Sequence, residues 1–252
     1  MARNKRPVVL VTGGTSGIGL AVLHHFARKG YDLAFCGRNV RRGEKAVADI
    51  RKKYSSRVLF VPGDVSKEEA VERVVKEGPG RLGRLDVLCN NAGIQKISAI
   101  QDLSPADWDE VMSVNARGAF LITRLALPYL KKSKGSIVNV ASTGGLMGYA
   151  GGSAYCVSKA ALVMLTKVLA LELAPFKVRV NCICPGAVDT PMVPSKSLKS
   201  VASRIPLRRV GRSEEIAELV YYLSSQSAKQ ITGGTFVVDG GVTAGRPRLA
   251  PS

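Results

Sequence analysis

Tyr155 and Lys159 stand four residues apart and Ser142 lies thirteen positions before Tyr155, so one stretch of chain carries a phenol, an ammonium and a hydroxyl. A free phenol titrates near pH 10 and is a poor proton carrier at neutral pH. A cation held beside it favours the phenolate and brings the pKa toward the working range. A serine hydroxyl can meanwhile steady a substrate oxygen, and the trio therefore suits proton transfer at a carbonyl or alcohol. Only two histidines occur, His24 and His25, adjacent on one expected helix. Their scarcity argues against a histidine-based hydrolytic triad or a His-rich metal centre, and no metal site is expected.

These groups must be positioned by the elements that carry them. Ser153 to Leu173 contains no Gly or Pro, and Val157, Ala161, Val163, Met164, Val168, Leu169 and Leu171 suit a mostly buried helix. Spacing of i and i+4 then places Tyr155 and Lys159 on one face. Ser136 to Ala141 reads as a buried strand of a parallel sheet, with Ser142 just past its carboxyl end, where ligands of such sheets bind. Near the N-terminus the apolar run Pro7 to Val11 enters Thr12-Gly13-Gly14-Thr15-Ser16-Gly17-Ile18-Gly19, and a helix is expected from about Leu20 to Lys29, stopped by Gly30. Strand, glycine turn and helix start together suit a dinucleotide: the glycines allow close backbone approach and the helix offers free N–H groups to a pyrophosphate.

Six motifs in this order and spacing, from about Pro7 to Val242, resemble the short-chain dehydrogenase/reductase family. They are Thr12 to Gly19, Asn90-Asn91-Ala92-Gly93, Asn115 in Ser113-Val114-Asn115, Ser142, Tyr155-Cys156-Val157-Ser158-Lys159 and Pro185-Gly186-Ala187-Val188-Asp189-Thr190. The resemblance implies an α/β fold, a single Rossmann-type doubly wound parallel sheet of about seven strands with helices on both faces. It also implies a catalytic tetrad. Tyr155 is its acid/base, Lys159 lowers the tyrosine pKa and holds the nicotinamide ribose, Ser142 orients the carbonyl, and Asn115 keeps a water in the proton relay. The cofactor residues it implies are Thr12, Gly13, Thr15, Ser16, Gly17, Ile18, Gly19 and Arg38, then Asp64 and Val65 toward the adenine, and Asn91, Ala92, Gly93, Tyr155, Lys159, Pro185, Gly186, Val188 and Thr190.

Composition agrees with one well-buried domain over residues 1–252, with 1–6 and 243–252 expected as flexible basic tails; the chain is 46% hydrophobic. Strands are expected near Val8–Thr12, Asp32–Cys36, Val58–Pro62, Val87–Asn90, Ser136–Ala141, Val178–Cys184 and Thr235–Val238. The apolar run after Arg3-Asn4-Lys5-Arg6 is too short for a signal peptide, and no stretch reads as a membrane helix of about 20 apolar residues. Five cysteines, an odd number and mostly in expected strands, fit a reducing compartment, and the protein is expected in the cytoplasm.

Cofactor choice is set at the end of the second strand, where a carboxylate selects NAD and an arginine accommodates the 2'-phosphate of NADP. Leu33-Ala34-Phe35-Cys36 ends in Gly37-Arg38-Asn39, with no acid, and NADP(H) is expected. Lys plus Arg outnumber Asp plus Glu by 37 to 19, a formal +18, which favours polyanions, yet no nucleic-acid-binding motif accompanies the charge. Lys196, Lys199, Arg204, Arg208, Arg209 and Arg212 fall in the stretch that borders the family's substrate entrance, which suits an acidic acyl carrier protein or a CoA thioester. Lys131, Lys132, Lys134 and Lys177 form a second basic group. Ile205-Pro206-Leu207 and Val210 to Ile216 resemble the 3-oxoacyl carrier-protein reductase branch, in which Arg208 stands where Gly is usual. The expectation is an NADPH-dependent reductase of a ketone carbonyl, with a 3-oxoacyl thioester leading and a small ketone, sugar or polyol as the alternative. A non-catalytic nucleotide-sensing or interaction protein would not need the whole tetrad. The resemblance further implies a homotetramer.

Overall fold

The computed structural model describes residues 6–193 and 197–245. Seven strands, β1 (Val8–Thr12), β2 (Asp32–Gly37), β3 (Val58–Pro62), β4 (Val87–Asn90), β5 (Ser136–Val140), β6 (Arg179–Pro185) and β7 (Thr235–Val238), form one parallel sheet in the order β3-β2-β1-β4-β5-β6-β7. Parallel strands must be linked by crossovers, and the intervening helices cover both faces. They are α1 (Gly17–Arg28), α2 (Val40–Lys53), α3 (Glu68–Val75), α4 (Pro105–Met112), α5 (Gly118–Ser133), α6 (Ser153–Leu173), α7 (Leu198–Ala202) and α8 (Ser213–Ser224).

Alternation along β1 shows how the two layers are made. Val8 and Leu10 join one core with residues of α3, α5 and α6, while Val9 and Val11 join a second with Val22, Leu23 and Phe26 of α1, Ile50 of α2 and Ile216 and Val220 of α8. All five β1 residues are buried, which is why the strand reads as an unbroken apolar run. The chain lays β2 and β3 on one side of β1 and then returns to lay β4 on the other. That reversal opens a crevice beyond the carboxyl ends of β1 and β4, and the glycine turn lies there.

A buried polar chain fixes α5 and α6 against the sheet. Asn90 on β4 donates to Thr123 of α5 at 3.1 Å and to Asn139 of β5 at 2.8 Å, and Asn139 donates to Thr166 of α6 at 2.8 Å. Such bonds are satisfied only in one register, so they align the helix bearing Tyr155 and Lys159 with the strand that ends at Ser142.

Three expectations change. Helix α1 begins at Gly17, three residues before its expected start, because the last glycines of the turn already belong to its first turn. Ser153–Phe176 is long and apolar enough to span a membrane, with a mean hydropathy of 1.6, contrary to the sequence reading; half of it is buried against this sheet, and Lys159 lies on its buried side. Three residues expected in the tails belong to the fold: Arg6 donates to Ser55 O at 2.6 Å, and Thr243 and Ala244 lie in the turn Val242–Ala244, with Thr243 held by the Asp239 carboxylate. Residues 1–5 and 246–252 lie outside the described residues.

Candidate active site

The first part of the site is the glycine turn after β1. Gly13 has φ +67°, and a Cβ there would press on Ala92 Cα at 3.0 Å, so a side chain is barred both by backbone conformation and by space. The turn is braced from β4: Asn91 Nδ2 donates to the carbonyls of Thr12 and Gly13, and the Thr12 hydroxyl accepts from the N–H groups of Asn91 and Ala92 at 3.0 Å. The Thr12 hydroxyl oxygen and the Asn91 side-chain N–H groups, expected among the cofactor contacts, hold the turn. Helix α1 starts without a side-chain cap from Ser16, which leaves its first N–H groups for a ligand. Thr190, in the loop after β6, reaches the turn from the other side; its Cγ2 lies 3.1 Å from where a Gly17 Cβ would stand. A cradle built from Gly13 to Gly19, open at a helix N-terminus, fits a dinucleotide pyrophosphate.

Around this cradle lie the remaining expected residues. Asp64 follows β3 and accepts from the backbone and hydroxyl of Ser66 through one oxygen. Val65 is buried under Gly118, and Val188 is buried where it bridges to Gly211. Gly186 packs on Asp239 and donates to Val238 O, which ties the loop after β6 to β7. Arg38 is exposed just past β2, whereas Asn39 caps α2 by accepting from Arg42 N at 2.9 Å.

The tetrad residues converge from three elements. Ser142 follows β5, and its Oγ accepts from Gly144 N at 3.1 Å. Lys159, 3% exposed, donates from Nζ to Val140 O at 3.0 Å, and its Nζ lies 5.8 Å from the centre of the Tyr155 ring. Gly93 makes room for this approach, since a Cβ there would stand 3.2 Å from Lys159 Nζ and 3.3 Å from Asn115 Oδ1. Asn115 sits in a π-type turn, Ser113–Arg117, with its side chain fully engaged: Oδ1 accepts from Ile94 N, and Nδ2 donates to Ile94 O and to Ser158 Oγ. Ser158 in turn donates to Tyr155 O at 2.7 Å, and so links Asn115 to the tyrosine's own turn of helix. Ser158 lies inside the Tyr155–Lys159 motif, and its position one helical turn after Tyr155 is the signal that could have singled it out.

Electrostatics here run opposite to the expectation for the tyrosine. Burial raises the Tyr155 phenol above its ordinary value, and the hydrogen bond with Ser142 only partly offsets this. Lys159 is lowered to about 8, because its ammonium is desolvated within the protein. Cys182 and Cys184, side by side on β6, are buried in the same cluster as Leu162 and Val163 of α6.

A neighbouring contact pair has no counterpart in the sequence reading. Gln95 Nε2 donates to Tyr149 Oη at 2.7 Å, and Ser98 N donates to Gly151 O, so the loops after β4 and β5 are clasped together. The Tyr149 ring packs over Gly152 and borders Gly144, next to Cys156 and the Tyr155 ring. Lys96 on this wall is paired with Asp107 and Glu110. Lys199, Arg204 and Arg208 are exposed; Arg209 is engaged by Glu215, and Lys196 lies outside the described residues. Lys134 and Lys177 immediately precede the starts of β5 and β6, at the far end of the sheet from the tetrad.

The chain is similar to known oxidoreductases over nearly its whole length. Residues 13–243 match the family model described as Enoyl-(Acyl carrier protein) reductase. A 3-oxoacyl-[acyl-carrier-protein] reductase of Thermotoga maritima is 38% identical over 93% of this chain and 97% of its own length, and a cyclopentanol dehydrogenase of Comamonas sp. is 39% identical over 97% and 100%. The crystal structure of levodione reductase superposes with a TM-score of 0.91 at 34% identity, covering 95% of this chain and 98% of the other. The chain belongs to the short-chain dehydrogenase/reductase family, oxidoreductases that use a nicotinamide cofactor.

Proposed function

We propose that this protein reduces a ketone carbonyl with NADPH, a 3-oxoacyl thioester being the leading substrate. The observation that carries the reading is the convergence of a buried Tyr155, a buried Lys159 and Ser142 at the crevice that holds the glycine cradle. When bound there, the nicotinamide supplies the hydride. Ser142 accepts from Gly144 N and shares a hydrogen bond with the Tyr155 phenol, so its O–H lies where it can turn to a carbonyl oxygen that enters beside the tyrosine. Tyr155, raised by burial, keeps its proton at neutral pH and is suited to deliver it to the developing alkoxide. Lys159 then lies near enough to favour the phenolate so formed. Asn115, anchored by its amide to Ile94 and Ser158, is the residue set to hold a relay water. NADPH is favoured over NADH by an exposed Arg38 beside Gly37, where no carboxylate stands.

Substrate choice has two readings, each with its own support. The exposed Lys199, Arg204 and Arg208, together with the 38% identical Thermotoga maritima reductase, favour an acyl chain on an acidic carrier. The uncharged side chains of Gln95, Tyr149 and Cys156 beside Tyr155 and the cyclopentanol dehydrogenase relative favour a small ketone or secondary alcohol. Acetoacetyl thioester and cyclopentanone, each assayed with NADPH, separate them by their kcat/KM values. In either case Tyr155→Phe should lower kcat by about 10²- to 10⁴-fold while NADPH binding stays near normal. A variant with near-normal kcat would overturn the assignment.

A further inference from the structure

The basic charge of the chain is not spread evenly over the two ends of the sheet. Segments that enter strands at their amino ends, far from the tetrad, are rich in cations. Residues 51–57 hold Arg51, Lys52, Lys53 and Arg57, and residues 131–135 hold Lys131, Lys132 and Lys134, with no acid in either segment. A helix C-terminus carries only about half a negative charge, so these runs exceed what the ends of α2 and α5 need. At the carboxyl ends of the strands, by contrast, Lys and Arg are interspersed with Asp64, Asp107, Glu110, Asp189, Glu215 and Asp239.

Two open clefts of about 500 and 490 Å³ lie in the basic end. Arg51, Tyr54, Arg57 and Arg81 line the first, and Lys76, Arg81 and Tyr129 line the second, with Glu77 as its carboxylate. Arg81 belongs to both, so the two adjoin as one groove. Its arginines are placed to donate. Arg51 gives one N–H to Val58 O at 3.1 Å and Arg57 gives Nε to Asp32 at 2.7 Å, which fixes both side chains and leaves further guanidinium N–H groups over. Arg81 is exposed and has no hydrogen bond or ion pair among the described residues. The two tyrosines are half-buried: Tyr54 meets the His24 ring edge-on with centres 5.9 Å apart, and a Cβ at Gly80 would stand 3.3 Å from Tyr129 Oη. Both rings therefore belong to the groove walls.

Cations that follow a groove, interleaved with aromatic rings, suit a chain of phosphates that carries flat bases. We infer that this groove binds a single-stranded polynucleotide without sequence choice, its phosphates on Arg51, Arg57 and Arg81 and its bases against Tyr54 and Tyr129. A duplex keeps its bases stacked inward and cannot bring them to recessed rings, and a bilayer calls for apolar side chains that protrude. The groove lies at the opposite end of the sheet from the tetrad, so a bound strand and a reacting ketone do not compete.

The test uses the full chain saturated with NADPH, so that the dinucleotide cradle is filled, and a fluorescein-labelled strand of mixed sequence, about 10 nucleotides long, as RNA and as DNA, read by anisotropy. Both strands should bind with a micromolar Kd at about 50 mM salt, and log Kd should rise with log salt at a slope of about 2–3, as for three or four phosphates. Arg81→Gln should weaken binding about 3- to 10-fold and lower the slope by about 0.7, with ketone turnover unchanged. Lys45→Gln, an equal loss of charge elsewhere on α2, should change neither affinity nor slope. Tyr129→Leu should weaken binding about tenfold at an unchanged slope, whereas Tyr129→Phe, which keeps the ring, should bind as wild type does. If Tyr129→Leu does not fold, the comparison of Arg81→Gln with Lys45→Gln decides alone. Equal affinity for the corresponding duplex, or equal losses in Arg81→Gln and Lys45→Gln, would overturn the inference. So would preference for vesicles containing phosphatidylserine over the strand, or no binding once NADPH is saturating.

Discussion

Lys159 shows what the site costs the fold. Its ammonium is buried with one backbone acceptor, Val140 O, and its pKa is lowered to about 8 from an ordinary 10.5. A shift of that size corresponds to roughly 3 kcal/mol of disfavoured charge. The sign follows from proton counting. Between about pH 8 and 10.5 the unfolded chain holds a proton that the folded chain has released, so stability rises with pH through that window. Below pH 8 both states are charged and the whole penalty is present. Lys159→Met should therefore be more stable than wild type at pH 7 by about 1–2 kcal/mol, after allowance for the lost bond to Val140 O, with the gap closing toward pH 10. Urea denaturation at pH 7, 8.5 and 10 measures this; a gap independent of pH would show that the charge is not what costs. The motif made the identities of Tyr155 and Lys159 legible in the sequence. The upward shift of Tyr155 was not, because it depends on how completely separate strands and loops bury the phenol.

Elements were legible where one residue type suffices to mark them. The parallel strands are mostly apolar runs covered by helices, and their bounds fall within a residue of expectation. The π-type turns at Lys76–Gly80 and Ser113–Arg117 carry no such mark, and the clasp of Gln95 on Tyr149 joins residues 54 apart. In the segment between β6 and β7, Arg208 takes φ +56°, the left-handed conformation that Gly adopts without strain. Its Nη1 donates to Ser203 O, and Leu207 N donates to Gly240 O, so the turn is held in that shape from both sides. Substitutions should then rank by backbone tolerance and not by charge. Arg208→Gly should be the most stable, Arg208→Ala intermediate and Arg208→Val lowest, over a span of about 1–2 kcal/mol in chemical denaturation. Equal losses in all three would place the role in the guanidinium.

At the scale of the whole molecule, some of the exposed apolar residues gather on the two long helices and the last strand. Val157, Met164, Val168 and Leu171 lie along α6, Phe120 on α5 and Val237 on the edge strand β7, and Leu171 is 79% exposed. These are the apolar surfaces that further copies of the chain would cover in the expected assembly. Met164→Glu with Leu171→Glu should shift the mass measured by light scattering toward that of a single chain; a wild type that is already an active monomer at micromolar concentration would refute the assembly. The strand order described above has another consequence, one that concerns synthesis. β1 lies inside the sheet, yet its neighbour β4 begins only at Val87. During translation β1 can pair with β2 while its other edge, all apolar side chains and unmet N–H groups, waits for many more residues to emerge. The nascent chain thus passes through a stage with an open, sticky edge at what will become the centre of the sheet, and this is where it most needs protection from other chains.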